Sequence, residues 1–487
     1  MSSPLGNTST SNVRRDVLAS LVVFLVALPL CVGVAVASGV PAELGLITGI
    51  VGGLVVGALP GSSLQVSGPA AGLTVLVYEA VQTFGLAALG ALVLVSGLIQ
   101  IGLGALRFGR VFRAISVSVV HGMLAGIGLV LIFGQLYTMA GLEQPRSGFE
   151  KIIGVPGLVA DVLTSRQALT AAAIGLGTIA VLVLWKKLPA RVQVLPAPLA
   201  AVALATAVAA VGGLSVPRVE VQGLLSAVQP PGTSAFAALA SLAAVGTVLA
   251  FALIASAESL FSAAAVDRMH DGKGTEYDKE LMAQGVGNTL CGALGALPLT
   301  AVIVRSSANV QAGARTKLSR ILHGLWLVLF AALLPAAIGI IPLAALAGVL
   351  IHAGCKLVPA GEFRPLWRRH RGEALVLAAT ALAIVAVGMF EGVLLGLLLA
   401  VVKCAWETSQ VQVGVHELTD GRLIVSITGS ATFLRLPRLL ETLEAIPQDR
   451  PVELDLTGVR HLDHACATTL DTWAQRRGTS VATLTNA

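Results

Sequence analysis

The chain has 487 residues, 55% of them hydrophobic and 12% charged, with a mean hydropathy of +0.86. That is too apolar for a soluble protein of this length, so the sequence reads as a polytopic membrane protein. The formal charge of +6 raises nucleic acid as a partner, but no basic stripe or aromatic platform accompanies it, and membrane topology explains the charge distribution better.

Residues 1–15 read as a cytoplasmic tail. Positions 1–13 are rich in Ser, Thr and Asn, and Arg14-Arg15-Asp16 lead directly into a full-length span, with no cleavable signal peptide apparent. Apolar runs of about 20 residues are long enough to cross a bilayer. Single spans fit 17–40, 80–106, 114–140, 167–185, 192–214 and 236–257 running on past Glu258. The runs 44–78, 281–314, 321–355 and 374–402 are too long for one span and are broken at Pro60-Gly61, Pro298, Pro342 and Glu391, so each gives two. The total is fourteen spans within a membrane domain covering 16–408. With a cytoplasmic N-terminus, twenty Lys and Arg fall in cytoplasmic segments before residue 409, against four (Arg146, Lys151, Arg166 and Arg218) outside. The positive-inside rule predicts this bias, and an odd span count would destroy it, so both termini are expected inside.

Four interruptions stand out along the spans. Pro29 lies in the first. LQVSGPAAGLT, residues 64–74, breaks at Gly68-Pro69, with an extended segment over 65–68 and a helix starting near Ala70; an ordinary Pro-kinked helix is the other reading. Glu258 places a carboxylate inside an apolar span, where it must be protonated, paired or bound to a cation; a static ion pair with Arg305 is one such state. In PLTAVIVRSSANVQAGART, residues 298–316, Pro298 stops one helix and a new one is expected at about Ala301, exposing backbone N–H donors that attract anions, with Arg305 one turn further in. A re-entrant turn with Arg305 paired to a carboxylate or to backbone carbonyls is the structural alternative. Pro29 and Pro69 are 40 residues apart, as are Glu258 and Pro298, the spacing expected of an inverted repeat whose broken helices meet at the midplane.

The stretch 298–316 resembles the tenth-helix signature of the SulP (sulfate permease) family of anion transporters and exchangers, through Asn309 and the run Ala312–Thr316. ALPLCVGVAVASG, residues 27–39, resembles the family's first helix, and SAESLFSAAAVD, residues 256–267, its eighth, so the resemblance covers nearly the whole chain. It implies a polytopic α-helical fold of seven plus seven inverted spans, in which a core domain carrying helices three and ten moves against a gate domain. The implied activity is secondary active transport of a small inorganic anion, sulfate or bicarbonate, by alternating access, with a slight tilt to bicarbonate. The implied substrate-binding residues are Ala70 and Ala71 in the first half, Ala301, Val302, Ile303, Val304 and Arg305 in the second, and Leu30 and Val34 on the first-helix wall. Leu30 stands where many relatives have a glutamine and Val34 where they have an aromatic, so that helix serves equally well as packing. Related bicarbonate transporters bind sodium with an acidic residue and a hydroxyl one turn on, here Glu258 and Ser262. Ile303 replaces a threonine ligand, which favours H+ over Na+ as the coupling ion. A homodimer in the plasma or inner membrane is implied as well.

From about residue 409 the composition turns soluble. Strands are expected at 423–427 and 452–459 and helices at 437–446 and 465–477, a small α/β unit over 409–487 that resembles the family's STAS domain. It looks short at its C-terminal end, and His464-Ala465 follow Asp463 where bacterial regulators carry a phosphorylatable serine, which argues against a phospho-switch. The five cysteines (Cys31, Cys291, Cys355, Cys404 and Cys466) lack metal or disulfide spacing and read as packing residues, and His121 and His323 as packing or interfacial ones. An enzyme lacks a nucleophile–base pair or metal cluster near the breaks, and no Walker A sequence supports ATP hydrolysis. An anion channel, an uncoupled exchanger or a voltage-dependent area motor is the alternative within membrane function.

Overall fold

The computed structural model describes residues 6–110, 116–145, 147–189, 191–193, 195–221, 223–418, 422–447, 450–479 and 481–482. Arg146, and Arg113 among the twenty cytoplasmic Lys and Arg, lie outside them. The chain divides into two compact units, Met1–Gly396 and Leu397–Ala487.

The first unit opens with α1 (Gly6–Ala37), which carries Pro29 in its interior, and α2 (Ala42–Val51), extended by a π turn over Gly52–Val56. Strand β1 (Ser67–Pro69) and a 3-10 turn (Ala71–Leu73) lead into α3 (Thr74–Phe84), followed by α4 (Leu86–Ala105) and α5 (Val117–Met139). Two short helices, α6 (Gly148–Ile153) and α7 (Val155–Thr164), precede α8 (Arg166–Leu184) and α9 (Ala197–Val211). The second half runs through the short α10 (Thr233–Ala237), α11 (Leu242–Asp267), α12 (Tyr277–Ala293), β2 (Leu299–Ala301), α13 (Ile303–Gln311) and α14 (Leu318–Leu333). It ends with α15 (Pro335–Gly339), α16 (Leu343–Leu357), α17 (Ala360–Arg369), α18 (Arg371–Ala386) and the start of α19 (Met389–Thr408), which runs on from Leu397 into the second unit.

Setting aside α6, α7, α10, α15 and α17, each expected span has its own helix, but several boundaries move, two of them at glycines. The expected span 80–106 begins only at Leu86, because Gly85 takes a positive φ of 81° that ends α3. The break assigned to Glu391 falls at Gly388, with φ 150°, and Glu391 sits in the first turn of α19. Helices α4 and α12 pack backbone to backbone: a β-carbon on Gly292 would lie 2.2 Å from Leu94 N and one on Gly97 2.4 Å from Thr289 N. Glycine lets the helices approach where apolar side chains gain nothing over lipid.

In the second unit, β3 (Val411–Glu417) pairs antiparallel with β4 (Leu423–Ala431), which pairs in parallel with β5 (Val452–Leu462), and β5 with β6 (Val481–Ala482), in the order β3-β4-β5-β6. Helices α20 (Leu436–Glu444) and α21 (His464–Arg477) pack Leu439, Leu443 and Leu470 onto Val425, Ile427 and Leu454. Strands β3 and β6 were not expected from the sequence. Yet Val411, Val413 and Val415 alternate with polar or small residues over β3, the period-2 signal of a strand. Asp463 caps α21, accepting the Cys466 N–H at 2.8 Å and the Phe433 N–H at 2.5 Å, which gives this aspartate a structural task. Cys31, Cys291 and Cys466 are buried as expected of packing residues, whereas Cys355 and Cys404 are exposed.

Candidate functional site

Both halves break at the same level, and the breaks join. Pro69 and Pro298 each interrupt a helix, and the extended backbone beside them forms a two-stranded antiparallel ladder, with Ser67 opposite Ala301, Gly68 opposite Thr300 and Pro69 opposite Leu299. Backbone groups released from helices are thereby paired inside protein, as the apolar surroundings require. Buried polar side chains complete the pairing. Asn288 accepts the Leu299 N–H at 2.7 Å and donates to its carbonyl at 3.0 Å, Ser306 Oγ accepts the Val66 N–H at 2.9 Å, and Asn309 donates to Leu64 O at 2.9 Å. Asp16 fixes the end of the motif by accepting the backbone N–H groups of Arg315 and Thr316.

The helix expected at Ala301 starts two residues later. Ala301 belongs to β2 and donates its N–H to Ser259 Oγ at 3.2 Å, and the Val302 N–H donates to Val66 O at 2.9 Å. The first intrahelical bond of α13 runs from Ser306 N to Val302 O, so the first-turn donors are the N–H groups of Ile303, Val304 and Arg305. In the first half, Leu73 N bonds to Ala70 O, leaving Ala71 and Gly72 as the opening donors. Two helix starts, each with the positive end of its dipole, thus arise from one short ladder.

They open onto a cavity of about 480 Å3. Of the residues singled out in the sequence, Leu30, Val34, Ala71, Glu258, Ser262, Val302, Ile303, Val304 and Arg305 line it. Ile303 and Val304 are 39% and 43% exposed, apolar side chains that leave the helix start open to the cavity. Ala70 and Ala301, 2% and 0% exposed, sit one layer back.

Arg305 is fully buried. Its Nη2 donates to Pro69 O at 3.2 Å, while Nε and Nη1 have no protein partner. Glu258 makes no ion pair with it, which sets aside the static pair considered from the sequence. The Glu258 carboxylate instead lies against Gly72, where a β-carbon would come within 2.6 Å of Oε1, and Oε2 is sheltered without a hydrogen-bond partner. A guanidinium and two helix starts therefore set positive potential on one wall, with a single carboxylate beside the first helix start.

The sequence reading missed the opposite wall. His121 on α5, His352 and Lys356 on α16, and Glu362 on α17 also line the cavity, and His121 Nδ1 lies 3.2 Å from Glu362 Oε2. His121 was read as packing or interfacial and Lys356 only as a cytoplasmic charge, and His352 and Glu362 drew no reading, because nothing in their local sequence shows that α5, α16 and α17 face the breaks. Arg320, counted among the cytoplasmic charges, is buried, and His323 is buried as the packing alternative of its reading has it. Arg320 donates to Gln65 O and Leu59 O, and His323 Nδ1 lies 2.7 Å from Arg320 O. They tie α14 to the segment leading into β1. No group of His, Cys, Asp and Glu suited to a metal ion occurs among the described residues.

Known proteins agree with this architecture. A family model described as "Sulfate permease family" matches residues 13–380. The bicarbonate transporter BicA of Picosynechococcus sp. is 26% identical over 427 residues, 82% of this chain and 72% of that protein. A sodium-independent sulfate anion transporter of Bos taurus is 26% identical over 490 residues, 93% of this chain and 80% of that protein. The solved structure of SLC26A9 has the same fold, with a TM-score of 0.81 at 17% identity over 97% of this chain and 84% of that one. With the paired breaks and a family match over most of its membrane unit, the chain belongs to the sulfate permease family of transporters, which are not enzymes.

Proposed function

We propose that the protein is a secondary active transporter of a small inorganic anion, sulfate or bicarbonate, that works by alternating access and is driven by a cation bound at Glu258. The observation that carries this reading is the pair of helix starts built on one ladder, with Arg305 and Glu258 on the cavity they face. The N–H groups of Ala71, Gly72, Ile303 and Val304 and the unpartnered Nε and Nη1 of Arg305 supply donors and positive charge for an oxyanion. Donors of this kind suit any small oxyanion, and the naming of BicA as a bicarbonate transporter tilts the reading to bicarbonate.

Glu258 has the environment of a group that must acquire a cation before its charge is tolerated: a sheltered Oε2 without a partner and no basic side chain in ion-pair contact. Ser262, one turn on, also lines the cavity, but Ile303 offers no oxygen, and hard cations need several oxygen ligands. That combination favours H+ over Na+. A proton on Glu258 offsets the anion's charge, so the loaded core crosses its barrier with less uncompensated charge than either singly occupied form. Both termini are placed on the cytoplasmic side by the charge bias.

The test is uptake of radiolabelled sulfate and bicarbonate into proteoliposomes under imposed proton or sodium gradients. Saturable, proton-driven accumulation of one of these anions is expected. Unsaturable electrogenic flux points instead to a channel, and accumulation only with sodium moves the coupling ion to Na+.

A further inference from the structure

Helix α17 has no place in the anion site beyond Glu362, and none of its residues is buried. Its sequence AGEFRPLWRR places Phe363, Leu366 and Trp367 on one face, with Arg364 and Arg368 along one flank and Arg369 along the other. Phe363 and Trp367 are 37% and 43% exposed and stack on each other, ring centroids 6.1 Å apart. The helix is held between two membrane segments: α16 ends at Leu357 and α18 begins at Arg371, leaving two residues before α17 and one after it. Tethers this short keep it at the membrane surface. Exposed aromatics on one face with arginines on both flanks make the pattern of a helix that lies in the headgroup layer, its rings toward the acyl chains.

We propose that α17 is a binding site for anionic phospholipid, with Phe363 and Trp367 seated at the acyl boundary and Arg364, Arg368 and Arg369 holding headgroup phosphates. Charge complementarity selects this occupant over a protein face: three guanidinium groups and a single carboxylate lie on ten residues, and that carboxylate, Glu362, is turned to His121 at 3.2 Å. Arginine pairs with phosphate in bidentate geometry, and each basic residue near an anionic surface contributes about fivefold in association.

The test reads lipid contact directly and needs no transport, so its outcome is independent of the anion-transport reading. Full-length protein and Trp367→Phe are reconstituted into phosphatidylcholine vesicles with and without phosphatidylglycerol, one lipid at a time carrying brominated acyl chains. The fluorescence difference between the two proteins reports Trp367. Brominated phosphatidylglycerol is expected to quench that signal more than brominated phosphatidylcholine at equal mole fraction. The preference should vanish in Arg364→Gln/Arg368→Gln/Arg369→Gln, and in the parent at about 1 M salt, where the screening length falls to about 3 Å. Should the triple variant fail to fold, the salt arm and Arg368→Gln alone carry the test. A Trp367 signal that neither lipid quenches means the face is covered by protein, the tail unit or a second copy, and overturns the proposal. Equal quenching by both lipids, or a preference that survives the substitutions, overturns it too.

Discussion

A β-carbon on Gly68 would lie 2.1 Å from Arg305 Nη1, so the glycine of the first break and the arginine of the second occupy one packed site. Residues 237 positions apart in sequence thereby set each other's chemistry: the missing side chain at 68 admits the guanidinium, and the guanidinium then holds Pro69 O. Gly68→Ala should displace Arg305 as effectively as removing its charge. Anion binding to both Gly68→Ala and Arg305→Ala is expected to weaken by about tenfold to a hundredfold, the range for a lost charge-assisted hydrogen bond. Isothermal titration or substrate-protected thermal shift checks this, and a folded Arg305→Ala with parental affinity would leave the residue a purely structural role.

Glu258 is expected to separate binding from driving force. Glu258→Gln keeps the shape and removes the titration, so anion binding and exchange persist while accumulation driven by a proton gradient is lost. Gradient-driven uptake by this variant in proteoliposomes is the decisive measurement, and accumulation at the parental level excludes Glu258 as the coupling site. Gly72→Ala probes the same contact from the other side. A methyl group there would sit 2.6 Å from Glu258 Oε1, so it should impair accumulation as well.

Every residue lining the cavity lies in the first compact unit, before residue 397. Deleting residues 412–487 should therefore leave substrate affinity within about threefold of the parent in whatever protein inserts, the context scatter of a single interaction at well under 1 kcal/mol. A truncated, well-folded protein that fails to bind the anion overturns this.

Asp463→Ala should cost the tail about 1 kcal/mol, the usual worth of an N-cap side chain. The Cys466 and Phe433 N–H groups, Cys466 foremost, hold the Asp463 carboxyl below the usual aspartate range. Because its folded value is depressed, its contribution is complete above the unfolded aspartate value of about 3.9 and is lost as pH falls through the lower folded value. Hydrogen exchange of amides in β4 and β5 of the full-length protein, compared at neutral pH and near pH 3, reads both effects. Unchanged protection in Asp463→Ala at neutral pH shows that the cap contributes nothing measurable.

The features legible in the chain were those carried by local composition and by proline. Length and hydropathy made the chain a membrane protein, and Pro69 and Pro298 marked the two breaks, because these signals lie in the local sequence itself. That the breaks pair as strands, that Ala301 spends its N–H on Ser259, and that Arg305 rests on Pro69 O and leaves Glu258 without a basic partner came from the packing of distant segments. That packing also decided that His121, His352, Lys356 and Glu362 face the same cavity. These relationships join residues far apart in the chain, and they follow from helix packing that glycines at Gly68, Gly72, Gly97 and Gly292 make close. A glycine in a sequence shows that something can approach, and the fold alone decides what does.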